Sequence, residues 1–180
     1  MLRILTKPNK LGKIYTTEWI KQPKKAEGEN QMLKKGDKAP EFNLKDQFGE
    51  EVVLSKLKGK KVLLSWHPLA FTATCTDQMR SLERNYDRLK EAGIDVVLGI
   101  SADARPSKAV WAKAISLKNV LILADFEPKG EMSKAYGIYI ENKGTSGRAN
   151  IIVAEDGLIS FAKEYGLSEL PDVEEVIKNA

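Results

Sequence analysis

Residues 61–66, KVLLSW, form a short and almost uninterrupted apolar run. A strand with that pattern has no solvent face, so it belongs in the middle of a sheet covered on both sides. The following segments repeat the theme. IDVVLGIS (94–101) and VLILAD (120–125) read as two more buried strands. Between them lie stretches of helical period. Met79, Leu82, Tyr86 and Leu89 recur at spacings of three, four and three, which predicts one helix running to about residue 92. Gly93 stands where a helix C′ residue belongs. SKAVWAKAISL (107–117) reads as the next helix, with Pro106 near its first turn, and KGEMSKAYG (129–137) as a short one.

Towards the C-terminus the pattern changes. RANIIVAEDGLISFAKEYG (148–166) reads as a hairpin turning at Asp156-Gly157, and PDVEEVIKNA (171–180) as a closing helix with Pro171 at its start. Ahead of the first buried strand, EFNL and EVVLSKL flank KDQFGE, where Gly49 marks a turn. From the central strand onward the alternation predicts parallel strands with covering helices, and the late hairpin adds antiparallel ones. The expectation is therefore an α/β fold with a mixed sheet.

Residues 1–31 differ from the rest. LRILT and KIYTTEWIK, separated by KPNKLG, are compatible with a hairpin, and QPKKAEGENQ reads as a solvated linker. A surface appendage is the plain reading; a subunit or partner contact through Tyr15 and Trp19 is the sharper one. We divide the chain into this basic extension, 1–31, and a domain over 32–180. Charge supports the division. Residues 1–35 hold nine Lys or Arg against three acidic residues, whereas the remaining 145 hold 20 against 22. The dispersed lysines and sparse aromatics of the extension argue against a nucleic-acid surface. No segment approaches the ~18 apolar residues of a membrane helix, and the N-terminus lacks the apolar core and cleavage site of a secretory signal. No phosphate-binding glycine motif occurs.

The chain has one cysteine, Cys75, and one histidine, His67. A single thiol excludes an internal disulfide and suits a reducing cytoplasm. One histidine and one cysteine are too few for a metal site, and no cofactor is implied. Cys75 falls just past the apolar strand, in the opening turn of the next helix, where unpaired N–H groups and the helix dipole favour thiolate. Cysteines so placed can have pKa values lowered from about 8.5 to roughly 3.5–7.5. Thr72 and Thr74 supply hydroxyls, one of them as the predicted helix cap, and Pro68 ends the strand. The bland alternative is an inert, buried, small side chain. Ionisation alone gains little: a thiol of pKa about 8.5 is already ~7% ionised near pH 7.4, so full ionisation is worth about tenfold, roughly 1.4 kcal/mol. A fast thiol enzyme must also hold a cation and donors where charge develops.

PLAFTATC, Pro68 to Cys75, fits the PxxxTxxC motif of the peroxiredoxins, thiol-dependent peroxidases on the thioredoxin fold, and the chain resembles that family over residues 33 to 178. The segments KKGDKAPEFNLKDQFGEEVVLSKLKGKKVLLSWHPLAFTATCTDQM, GISADARPSKAVWAKAI, VLILADFEPKGEMSKAYGI and GRANIIVAEDGLI carry the likeness. The resemblance implies a thioredoxin-like fold with helices on both faces of the mixed sheet. It implies that Cys75 is the peroxidatic nucleophile, Pro68 its shield, Thr72 its hydroxyl partner and Arg148 the distant cation that folds back onto the thiolate. Gln78 falls where the family often has Glu, and CTDQ replaces the Cys-Pro-Thr-Glu of many relatives. His67 precedes the proline, as in some one-cysteine relatives, either as a pocket donor or as packing.

Without a resolving cysteine, the chain resembles a one-cysteine peroxiredoxin that reduces hydrogen peroxide or organic hydroperoxides. An external thiol (thioredoxin, glutaredoxin or a small thiol) would resolve its sulfenic acid. The family also implies a homodimer or larger assembly. Two other readings compete. One is a thiol hydrolase or acyltransferase with His67 as base, for which no orienting carboxylate follows. The other is a non-catalytic thioredoxin-fold binding or chaperone module.

Overall fold

The structure, a computed structural model, describes residues 31–180. The expected hairpin and linker of the extension lie outside the described residues, apart from Gln31. Among the described residues nine strands occur: β1 (Asn43–Lys45), β2 (Glu51–Val53), β3 (Val62–Trp66), β4 (Val96–Ser101), β5 (Leu121–Ala124), β6 (Tyr139–Ile140), β7 (Thr145–Ser146), β8 (Arg148–Val153) and β9 (Ile159–Tyr165). The helices are α1 (Ala73–Arg84), α2 (Tyr86–Glu91), α3 (Arg105–Ala114), α4 (Glu131–Ala135) and α5 (Val173–Lys178), and a 3₁₀ turn spans Leu54–Leu57.

The central sheet has the order β5-β4-β3-β8-β9. The apolar run found in the sequence is its middle strand, and every residue of β3 is buried. β3 and β4, and β4 and β5, run parallel, while β8 runs antiparallel to both β3 and β9. The mixed sheet is as the residue pattern predicts. β1–β2 and β6–β7 form separate two-stranded ribbons.

Alternation along the strands divides the interior into two cores. Leu63, Val97, Ile122 and Ile152 face one layer, filled by Met79 and Leu82 of α1, Leu89 of α2, Trp111 of α3 and Val176 of α5. Leu64, Trp66, Leu98, Leu123 and Ile151 face the other, where Met132 and Tyr136 lie with Ala39 and Phe42. Burying such a side chain is worth about 1.5–3 kcal/mol, so the two cores together hold the sheet between its layers. Gly99 marks a tight point in the first of these cores. A Cβ added there would lie 2.6 Å from Met79 Sδ and 2.9 Å from Ile122 Cγ2. Gly99→Ala is expected to lower the unfolding free energy by about 1–3 kcal/mol through overpacking. Urea unfolding of the two chains measures it, and an unchanged midpoint would show that the core yields there.

Two local expectations need correction. The helix expected to run unbroken to residue 92 is two helices, because Asn85 leaves the helical conformation at φ −104°, ψ 14°. Its side-chain amide donates to the Ser81 carbonyl at 2.9 Å, offering the backbone an alternative to the next turn. The apolar face continues across the break, so period alone could not detect it. Gly93 does terminate α2, at φ +97°. Its N–H donates to Lys90 O and that of Ile94 to Leu89 O, both at 2.9 Å, the paired bonds of a Schellman motif. Pro171 lies just ahead of α5 and its cap rather than at its start; Asp172 caps that helix, accepting the Glu174 N–H at 3.0 Å.

One loop side chain reaches the sheet. Gln47 is buried beside β5, where its Oε1 accepts the Ile122 N–H at 2.8 Å and its Nε2 donates to Val120 O at 3.3 Å.

Candidate active site

β3 ends at Trp66, and the chain then turns through 67–72 into α1. Cys75 is the third residue of that helix, in the turn whose N–H groups have no carbonyl one turn back. Its side chain is only 1% exposed. Thr72 occupies the N-cap position, yet neither threonine caps the helix through its side chain. The Thr72 hydroxyl instead donates to Leu69 O at 2.9 Å, tying the loop to itself. The residue before it, Phe71, holds a left-handed φ of +66° that side chains other than glycine rarely adopt.

Arg148, the first residue of β8, is 1% exposed, and its side chain reaches the sulfur. Its Nη2 lies 3.4 Å from Cys75 Sγ and 2.7 Å from Leu167 O, and its Nε donates to the same carbonyl at 3.3 Å. Its Nη1 donates to Gln78 Oε1. Gln78 Nε2 in turn donates to Ser65 Oγ at 2.8 Å and Trp66 O at 3.1 Å, and Ser65 Oγ donates to Asn150 Oδ1 at 2.8 Å. A buried polar chain of Asn150, Ser65 and Gln78 thus fixes one arm of the guanidinium, while the Leu167 carbonyl holds Nε and Nη2. Among the described residues no carboxylate pairs with Arg148, so its charge faces the sulfur without a competing anion.

A cavity of about 280 Å³ opens above Cys75, walled by Pro68, Leu69, Thr72, Thr145, Arg148 and Leu167. The four residues singled out in the sequence, Pro68, Thr72, Cys75 and Arg148, therefore share one site. The sequence left the part played by Gln78 open, and it passed over Ser65 and Asn150. Their signal was available: each is a polar residue inside an apolar strand, on a face that must find partners in the core.

His67 is wholly buried, and neither ring nitrogen has a hydrogen-bond partner among the described residues. Its ring packs on Trp111 with centroids 5.1 Å apart. Burial first, then the charges of Lys108 and Arg148, holds the imidazole well below its ordinary range, so it stays neutral. With no hydrogen bond to Cys75, His67 lacks the contact that a hydrolase base requires. Among the described residues no group of three or more His, Cys, Asp or Glu could hold a metal ion, and no helix is long and apolar enough to cross a membrane.

Comparison with known proteins adds independent findings. Residues 35–162 match the AhpC/TSA family. Alkyl hydroperoxide reductase E of Mycobacterium tuberculosis is 37% identical over 144 residues, which span 78% of this chain and 92% of that protein. Peroxiredoxin Bcp of Escherichia coli is 41% identical over 109 residues, 61% of this chain and 67% of that protein. Among solved structures, the reduced 2-Cys peroxiredoxin of Plasmodium vivax superposes with a TM-score of 0.72 at 26% identity, covering 81% of this chain and 79% of that one. AhpC of Enterococcus faecalis superposes with a TM-score of 0.74 over 82% and 90% of the two chains; at 23% identity it speaks to the thioredoxin-like fold alone. These likenesses do not favour a non-catalytic binding module. A match across most of the domain, joined to relatives of this identity, shows that the chain belongs to the AhpC/TSA family, the peroxiredoxins, as a thiol-dependent peroxidase with a single cysteine.

Proposed function

We propose that Cys75 is the peroxidatic nucleophile, that Arg148 and Thr72 stabilise the reacting oxygens, and that Pro68 shields the sulfur from water. The observation that carries this reading is the 3.4 Å approach of Arg148 Nη2 to Cys75 Sγ at the base of the cavity. The thiolate attacks the terminal oxygen of a hydroperoxide. An S–O bond forms as the O–O bond breaks, and the sulfur gives up two electrons to become a sulfenic acid. The departing alkoxide or hydroxide takes a proton and leaves as alcohol or water. Guanidinium donors fixed before the reaction stabilise the charge that develops on the two oxygens.

The apolar walls Pro68, Leu69 and Leu167, together with the name of the mycobacterial relative, favour organic hydroperoxides alongside hydrogen peroxide. With one cysteine in the chain, an external thiol condenses with the sulfenic acid, releasing water, and a second thiol displaces it and restores Cys75. Thioredoxin, glutaredoxin or a small thiol fills that part in a reducing cytoplasm. The chain works as a homodimer or larger assembly, with residues 1–31 as an appendage to the peroxidase domain 32–180.

A mass spectrum after one equivalent of peroxide tests the assignment. One oxygen atom is expected on Cys75 and none on a Cys75→Ser chain. An unmodified Cys75 in active protein would sink it. Stopped-flow rates with hydrogen peroxide and with an organic hydroperoxide then rank the substrates.

A further inference from the structure

The loop that carries Pro68 and Thr72 is held in a shape it would not adopt alone. Where it leaves β3, both backbone groups of His67 are pinned: the N–H donates to Ile100 O at 3.0 Å, and the carbonyl accepts the Ser146 hydroxyl at 2.8 Å. At the far end, Thr72 O accepts the Thr76 N–H at 2.9 Å as α1 begins. Between these ends stands Phe71, at its left-handed φ of +66° and 59% exposed. A residue other than glycine keeps such a φ only where its surroundings over-determine it. Its ring meets Trp111 at a centroid distance of 6.2 Å, so much of the restraint falls on the backbone.

Asp103 supplies that restraint. It follows β4, and its Oδ2 accepts the Ala70 N–H at 3.0 Å and the Ser101 hydroxyl at 2.6 Å. Ser101, the last residue of β4, is wholly buried, so the carboxylate is tied to the sheet as well as to the loop. Lys108, wholly buried on α3, donates instead to the Leu123 carbonyl on β5. Ala70 sits midway between Pro68 and Thr72, and both of those line the cavity above Cys75. The Thr72 hydroxyl donates to Leu69 O at 2.9 Å, so a shift at Ala70 moves the support of the threonine itself.

We propose that Asp103 is a positioning residue of the peroxidase site: its carboxylate holds the Ala70 amide and so sets Pro68 and Thr72 over Cys75. The inference rests on Pro68 and Thr72 acting at Cys75 as proposed above. Asp103 does not line the cavity, so its effect passes through the loop.

Second-order rates of Cys75 oxidation by hydrogen peroxide, from stopped-flow traces of the full chain, test this in three variants. Asp103→Asn keeps an acceptor in place without the charge and is expected to stay within about threefold of the parent. Asp103→Glu keeps the charge but moves it by one methylene, and Asp103→Ala removes it. Both are expected to lose about 10–10²-fold, since a misplacement of about 1 Å can cost 10²-fold. The ranking discriminates, because a carboxylate acting through its charge would leave Asp103→Glu faster than Asp103→Asn. The double variant gives a second readout. In a Thr72→Val chain, Asp103→Ala should cost less than about threefold more, because the hydroxyl it places is already gone. Asp103→Glu as fast as Asp103→Asn, a parent-like rate for Asp103→Ala, or losses that multiply in the double variant would each overturn the assignment. If Asp103→Ala does not fold, the ranking of Asp103→Asn and Asp103→Glu decides. A parent-like rate for Thr72→Val, or a parent chain that takes no oxygen from peroxide, would instead defeat the proposed function on which the inference rests.

Discussion

Arg148→Met should slow oxygen transfer to Cys75 by a factor of about 10²–10³, the usual loss when a preorganised donor is removed from developing charge. The size of the effect discriminates between two roles. A cation that only raised the thiolate fraction could account for about tenfold, because an ordinary thiol is already partly ionised near neutral pH. A larger loss places the contribution in the transition state. Geometry supports the larger figure. The guanidinium is held by Leu167 O and by the Gln78 relay, so it need not reorganise when the O–O bond breaks. Arg148→Lys keeps a charge but not the planar fork, and is expected to recover less than a tenth of the lost rate. Stopped-flow tryptophan fluorescence under excess peroxide measures all three chains. A parent-like rate for Arg148→Met would remove the guanidinium from the mechanism.

The second large effect concerns stability. Lys108 titrates near 7 in the folded chain and near its ordinary 10.5 when unfolded. Between those values the unfolded chain binds more protons, so stability rises with pH across that interval and has no slope from this group below it. At about 1.4 kcal/mol per pH unit, the gain from pH 7 to pH 9 is about 2 kcal/mol. Lys108→Met is expected to lack this rise and to be more stable than the parent at pH 7, since a buried charge often gives way favourably to an apolar side chain. Urea midpoints at pH 7, 8 and 9 for both chains provide the test, and parallel slopes would contradict it.

The two effects come from residues that differ in how far the sequence exposed them. Cys75 was legible because a strand pattern and a helix pattern meet just before it. The buried strands were legible because a continuous apolar run has few alternative uses. Arg148 was visible only through the family motif: 73 residues separate it from Cys75, and they meet because β8 inserts beside β3. Gln78 and Ser65 depend on the same insertion, since Asn150 reaches Ser65 from β8. The threonine cap was misjudged because a hydroxyl in a tight turn can bond backward to a carbonyl as readily as forward to an N–H. The β6–β7 ribbon has only two residues in each strand, too few to show a period.

Gln47 has a consequence for how copies of this chain can meet. An outer strand normally offers a row of free donors and acceptors to any extended segment that approaches it. Here one side-chain amide occupies the Ile122 donor and the Val120 acceptor, doing the work of a missing sixth strand. The sheet is thereby blunted at β5, and a second copy that lengthened it on that flank would first have to displace Gln47.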